Sequence, residues 1–353
     1  MVTQQMVAKE KASGMKTSVV ILNWNGRKLL EQFLPIVLQH TLDDETEVVI
    51  ADNGSSDGSL DFLKANFSQV PVIALDKNYG FAEGYNRALQ QVNSEYVVLL
   101  NSDVETTENW LSTMTGYLDE HPEVTAVQPK ILAQTNKTHF EYAGACGGFI
   151  DRFGYPFCRG RILENVEEDS QQYNSVIPVF WATGACLCIR RRDYFEAGGL
   201  DARFFAHMEE IDLCWRLNAR GKRIECIPQS VVYHVGAASL TKENPRKTYL
   251  NFRNNLLMLY KNSRLRSLVL AFTVRLFLDV LAFFHLLVRG KFDNAKAIIQ
   301  AHKDFFKMRS DFKYSRQENL SKRVVGHIPT KFRGSILWNY YLRGKKTYAA
   351  IFG

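Results

Sequence analysis

The chain has 353 residues, 46% of them hydrophobic and 23% charged, with a formal net charge of +7. These globular proportions exclude wholesale disorder and a multispanning membrane protein, and the length suits one large domain or two of ordinary size. The charge is unevenly placed, because residues 264–353 hold 18 Lys and Arg against 5 Asp and Glu, whereas residues 1–263 hold 26 against 32.

Residues 1–16 are polar and mixed in charge, lack the apolar run of a signal peptide, and are expected to fray, leaving the catalytic part in the cytosol. From residue 17 an alternation begins. The apolar run 17–22 ends in Asn23, Trp24, Asn25 and Gly26, and residues 27–40 follow with helical spacing. The next strand and helix pairs are 47–51 with 59–67, 70–75 with 81–92, and 96–100 with 107–120; residues 124–128 form a fifth strand stopped by Pro129. This rhythm predicts an α/β fold with a parallel, doubly wound sheet whose ligands sit at the carboxyl edge of the strands. Residues 133–180 break the pattern with glycines and aromatics. It resumes with a strand over 180–190, a helix carrying Glu209, Glu210 and Asp212, and short strands over 222–227 and 231–234.

Six cysteines without CxxC spacing read as reduced, buried small side chains. In the basic C-terminal part, the run 268–288 (LVLAFTVRLFLDVLAFFHLLV) is nearly long enough to span a bilayer, but Arg275 and Asp279 interrupt it at i,i+4 spacing. An in-plane, monotopic helix on a lipid surface is the preferred reading, ahead of a buried core helix or a true span. The aliphatic content assigns the basic tail to anionic lipid and not to nucleic acid. The expected organisation is a flexible segment 1–16, a catalytic domain 17–262 and a basic helical membrane-associating extension 263–353.

Apolar strands ending at Asp52 and at Asn101, Ser102 and Asp103 give two acidic strand ends in one α/β pattern, which suggests a nucleotide-sugar site. Sugar transfer there needs a cradle for the nucleoside, a charge sink for the leaving diphosphate and a base for the acceptor hydroxyl. For the cradle, the loop Asn23, Trp24, Asn25, the strand-terminal Asp52 and the segment 78–86 (NYGFAEGYN) emerge at one sheet edge. Gly80 and Gly84 permit close backbone approach, or serve ordinary turn and helix packing, and Asn78 and Asn86 supply amides. For the sink, Asp103 ends the strand-turn sequence Leu100, Asn101, Ser102, Asp103, where it either holds Mg²⁺ or Mn²⁺ or caps a turn. His234 is a possible second metal ligand or a structural histidine, and Arg253 a diphosphate contact or a capping residue. For the base, three carboxylates fall within residues 209–212, a crowding that raises at least one pKa, although a helix N-terminus attracts acids for dipole reasons alone.

These blocks, in this order, resemble glycosyltransferase family 2, inverting enzymes of GT-A fold, and especially its rhamnosyltransferase-like branch. The residues carrying the resemblance are 20–25 (VILNWN), 51–58 (ADNGSSDG), 78–86, 100–103 (LNSD), 183–185 (TGA), 209–216 (EEIDLCWR) and His234. The resemblance implies a mixed GT-A sheet, nucleoside contact by Asp52, and Asp103 as the last acidic residue of a DxD-type motif whose first position is here the neutral Asn101. It further implies a base at Glu210, where the family often has Asp, which leaves Glu209 in contention. Phe81 and Ser102 fall in the donor-binding blocks, and Trp181, Thr183 and Gly184 would border the sugar and acceptor pocket. The implied function is transfer from a dTDP-rhamnose or UDP/GDP-hexose donor to a glycan or polyprenyl-linked acceptor at the inner face of a cell envelope, with an inactive sugar-nucleotide-binding or assembly protein as the alternative.

Overall fold

The computed structural model describes residues 15–236 and 244–353. The expected fraying of residues 1–14, and Ala237 to Ser239 after His234, lie outside the described residues. Lys16 is not frayed: its backbone N–H donates to Glu45 O and its ammonium pairs with Asp119 at 2.8 Å.

The chain runs β1 (Thr17–Asn23), α1 (Arg27–Thr41), β2 (Thr46–Asp52), α2 (Ser59–Asn66), β3 (Val72–Ala74), α3 (Gly80–Leu89), β4 (Tyr96–Asn101), β5 (Val104–Thr106), α4 (Trp110–Glu120), β6 (Val124–Ala133) and β7 (Asn136–Phe140). Short strands follow: β8 (Gly148–Ile150), β9 (Pro156–Cys158), β10 (Arg161–Ile162), β11 (Asn165–Val166) and β12 (Ile177–Pro178). The body closes with β13 (Cys186–Arg190), α5 (Arg191–Glu196), α6 (Glu209–Ala219) and β14 (Arg223–His234), and α7 (Pro245–Asn262), α8 (Leu265–Val288), α9 (Phe292–Met308), α10 (Lys313–Ser321) and α11 (Tyr348–Phe352) complete it.

The main sheet has the order β12-β14-β6-β13-β4-β1-β2-β3. Strands β4, β1, β2 and β3 are parallel, and the near-continuous burial of β1, β2 and β4 explains why their sequences read as unbroken apolar runs. The sheet is mixed because β13 inserts antiparallel between β4 and β6. Pro129 does not stop β6. It pairs with Ile227 beside a register shift between Ile227 and Val231, so its missing N–H falls where the ladder is already interrupted, and that same shift made one long strand, β14, read as two.

The irregular stretch folds into a small antiparallel sheet, β11-β10-β9-β8, whose strands are too short to show a period. Residues beyond 263 are not a detached extension. Leu268, Phe305, Phe312, Ile328 and Ile336 belong to the same buried cluster as Tyr85, Trp181 and Trp215, and Asn319 donates to Asn262 at 3.0 Å. The six cysteines are free and buried.

Candidate active site

The parallel register puts Asn23 opposite Asp52, and Leu22 opposite Asn101, so three strand ends meet at one edge. The loops beyond them touch. A side chain added to Gly26 would come within 2.5 Å of Asn23 Oδ1 and 3.6 Å of Ser102 Oγ, and Asn25 Oδ1 accepts from Ser56 N–H at 2.8 Å. Trp24 projects outward, 52% exposed, as a free aromatic face beside this loop.

Asp52 is completely buried. Its carboxylate accepts from the Asn23 amide at 2.9 Å and Ser55 N–H at 2.8 Å, so it ties the two loops together and is not open to a nucleoside, contrary to the expected contact. The Asn23 amide oxygen, also buried, has no partner. Asn78 Oδ1 accepts from Gly80 N–H at 2.7 Å, which starts α3, and Gly80 adopts φ +78° with the Phe205 ring 2.5 Å from where its Cβ would stand. Phe81 N–H donates to Phe205 O at 2.8 Å. Gly84 packs α3 onto Leu22 of β1. Asn86 is taken from the donor site altogether: its side chain accepts from Tyr194 Oη at 2.7 Å and Leu200 N–H at 3.0 Å, fixing the turn after α5.

The antiparallel β13 brings the second half of the site to this edge. Asn101 N–H donates to Ala185 O at 3.0 Å, setting Gly184 beside the end of β4. A Cβ on Gly184 would meet the Phe81 ring at 2.9 Å and lie 3.9 Å from Glu210 Cβ. Only a glycine leaves room between the aromatic and the acid. Trp181 and Thr183, expected to border the sugar and acceptor pocket, are turned into the core. Both are buried, Trp181 donating its indole N–H to Phe149 O at 2.9 Å and Thr183 donating its backbone N–H to Gln128 Oε1 at 3.0 Å.

The three carboxylates of α6 separate by environment. Asp212 is fully buried and accepts from Arg216 at 3.0 Å, Lys261 at 2.7 Å and Asn262 at 2.7 Å, which commits it to structure and removes it from proton transfer. Glu209 is buried, and burial followed by the neighbouring Glu210 charge holds its carboxyl well above the usual range. Glu210 is partly open beside Gly184. Burial raises its pKa to about 7 against opposing backbone hydrogen bonds, and one carboxyl oxygen has no partner. A carboxyl with one unpartnered oxygen, poised near neutrality beside the end of β4, has the properties of a general base.

Arg253 does not reach toward a diphosphate. Its guanidinium donates to Phe204 O at 3.0 Å, and the adjacent Asn254 amide donates to Phe204, Ala206 and His207 carbonyls at 2.8 to 3.0 Å. Together they hold a loop in which Phe205, His207 and Met208 have φ of 67°, 70° and 72°, a strained path that delivers Glu209 and Glu210 at the start of α6.

At the other side of Asn101, β5 pairs with the end of β14 and sets His234 against Val104. His234 Nε2 lies 3.1 Å from Asp103 Oδ1 and 3.3 Å from the Asn101 amide, and Nδ1 lies 3.6 Å from Glu141. Burial opposes the imidazolium, but the hydrogen bonds to Asp103 and Glu141 prevail and its pKa rises to about 10. Glu141 had no signature in the sequence, since it stands alone in the irregular stretch. No group of three His, Cys, Asp or Glu suited to a metal occurs among the described residues. Asp103 oxygen and His234 nitrogen nevertheless fit a hard divalent cation that takes its remaining ligands from a diphosphate, with Glu141 behind the histidine as an orienting carboxylate.

Comparison with known proteins bears on the family and the fold. Residues 18–195 match the family described as glycosyl transferase family 2. An N-acetylglucosaminyl-diphospho-decaprenol L-rhamnosyltransferase of Mycobacterium tuberculosis is 24% identical over 239 residues, covering 64% of this chain and 78% of the relative. The O-antigen biosynthesis protein RfbC of Myxococcus xanthus is 28% identical over 232 residues, covering 64% of this chain and 18% of the relative. Among solved structures, GalNAc-T7 with UDP, GalNAc and Mn²⁺ superposes with a TM-score of 0.56 at 16% identity, over 71% of this chain and 49% of that one. S. aureus TarS 1-349 with UDP superposes with a TM-score of 0.52 at 17% identity, over 87% and 89%. These likenesses place the fold among GT-A glycosyltransferases. With the matched segment spanning half of its length, the chain belongs to glycosyl transferase family 2.

Proposed function

We propose that this glycosyltransferase moves a sugar, with inversion, from a nucleotide diphosphate to a hydroxyl of a lipid-linked glycan, with Glu210 as base. The observation that carries the mechanism is Glu210 itself, partnerless at one oxygen, shifted to about 7 and adjacent to Gly184 at the strand edge where Asn23, Asn101 and Asp103 also end. In one in-line displacement the Glu210 carboxylate takes the acceptor proton, the hydroxyl oxygen bonds to the anomeric carbon, and the bond from that carbon to the diphosphate oxygen breaks. Asp103 and His234 would hold Mg²⁺ or Mn²⁺, which when bound neutralises charge on the diphosphate. Asn23, Asn25 and Trp24 shape the nucleoside end, with Asp52 and Ser55 fixing the loop.

The donor is dTDP-rhamnose or a UDP- or GDP-hexose, and the branch of relatives favours the first. A lipid-linked acceptor is supported by the decaprenol-linked substrate in the name of the mycobacterial relative and by α8. That helix is long and apolar enough to cross a membrane by length and composition, yet Arg275 and Asp279 turn inward, where they pair at 3.1 Å and meet Asn255 and His302. The outer face is left uninterrupted, with Leu276, Phe277, Leu281 and Phe284 all about half exposed or more. We read α8 as lying flat on the inner surface of the cell membrane, the rest of the protein remaining in the cytoplasm. A thermal-shift screen of dTDP, UDP and GDP and their sugars, with and without Mn²⁺, tests the reading: one base should stabilise the protein, more strongly with metal, and a protein indifferent to all of them would refute it.

A further inference from the structure

A cavity of about 410 Å³ lies outside the site, between Trp215 of α6, the start of α8 and the segment 323–333. Arg152, Arg264, Arg323, Lys331 and Arg333 all line it, and no Asp or Glu does. Elsewhere Lys261 sits 2.7 Å from both Asp201 and Asp212, and Arg275 is paired with Asp279. Here the charges face one another. Burial, opposed by nearby Asp151 and aided by Arg323 and Arg152, pulls Lys331 down to about 8, and burial with Arg333, Arg323 and Lys331 lowers His327 at the rim. Five cations against the one carboxyl behind them, Asp151, leave an excess of positive charge that is costly in a partly desolvated space and is relieved by an anion.

Two further features point the same way. The α8 N-terminus opens on the cavity through Ser263, Arg264 and Ser267, with no side-chain cap and no acidic residue in its first turn, so its N–H groups and dipole are left for an anion. Trp215, only 2% exposed, also lines the cavity, and its indole N–H has no partner, a donor whose burial costs stability unless something accepts from it. Lys331 Nζ sits 4.1 Å from the centre of the Trp215 ring. Leu270 is shared between the cavity wall and the apolar face of α8, where Leu265 and Val269 are 69% and 58% exposed.

We propose that this cavity binds the phosphate of a membrane lipid whose hydrocarbon chain lies along the exposed face of α8. Arginine and lysine side chains, an uncapped helix start and an indole N–H supply donors for phosphate oxygens, and the adjoining apolar face supplies the surface for the chain. The site would fix how the enzyme sits on the bilayer, and it rests on the membrane reading given above.

The test uses the full chain, phosphatidylcholine vesicles with and without phosphatidic acid, and inorganic pyrophosphate titrated in EDTA. Arg264 and Arg333 are exposed, so R264S/R333S should fold, as its Tm will verify, and K303S/K313S removes the same charge from exposed positions elsewhere. Wild type should prefer phosphatidic acid vesicles, the cavity variant should lose about tenfold in binding and the control pair less than about threefold. Equal losses from the two pairs mean diffuse attraction and overturn the cavity while sparing the membrane reading. Absence of vesicle binding by wild type defeats the lipid assignment together with the membrane reading, even where pyrophosphate binding still separates wild type from R264S/R333S.

Discussion

His234 Nε2 stands 3.1 Å from the Asp103 carboxylate although 131 residues separate them, because β14 returns beside β5 at the edge where β4 ends. In this pairing the imidazole is protonated, with a pKa of about 10, so it fills the position that a cation would take. A divalent cation bound at this pair would displace that proton.

The affinity of the donor-bound protein for Mn²⁺ should rise with pH, by up to about tenfold per unit below the His234 pKa where a single proton is released. Calorimetry in buffers of different ionisation enthalpy counts that proton. Asp103→Ala should abolish the metal-dependent part of donor binding, whereas Mn²⁺ affinity independent of both pH and Asp103 would place the ion elsewhere.

Glu210 predicts both a rate profile and a stability profile. Only its carboxylate accepts a proton, so kcat/KM should fall as pH drops through about 7. Its folded pKa lies above the ordinary 4.5, so the neutral form is the stabilising one: that contribution is complete below 4.5 and is lost as pH rises through about 7. Glu210→Gln should accordingly raise Tm near pH 8 but scarcely near pH 4, as scanning calorimetry at the two pH values would show.

Asp212 gives the opposite outcome. It neutralises the buried Arg216 and Lys261, and Lys261 also ties Asp201 of the loop before α6. Asp212→Ala leaves two buried cations short of a partner and should cost about 3–5 kcal/mol in urea unfolding. A loss below about 1 kcal/mol would mean that water reaches the pair.

On α8, Phe277 and Leu281 are exposed while Arg275 and Asp279 face inward. Phe277→Asp with Leu281→Asp should leave Tm unchanged and abolish co-sedimentation with vesicles. Unchanged sedimentation would remove the flat-lying helix from the account.

Much of this architecture is legible in the sequence because β1, β2 and β4 are buried on both faces and end in Asn23, Asp52 and Asn101. The reversal of β13 is not, since a short apolar run carries no direction. Pro129 misleads because a strand tolerates proline where the neighbouring ladder is broken. At the site, residue type points to function but not to orientation. Asp52, Asn86, Trp181, Thr183, Asp212 and Arg253 are all bonded inward, and only tertiary contacts separate Asp212, spent on Lys261 and Arg216, from Glu210 two positions earlier. Glu141 was invisible because nothing near it repeats, and it acquires meaning only through its distance to His234.

The most direct test is sugar transfer by Glu210→Gln measured beside donor affinity in the same preparation. Transfer should fall by about 10² to 10⁴, with the donor Kd changed by no more than a few-fold. Transfer retained at near the wild-type rate, with the donor still bound, would contradict the assignment of the base to Glu210.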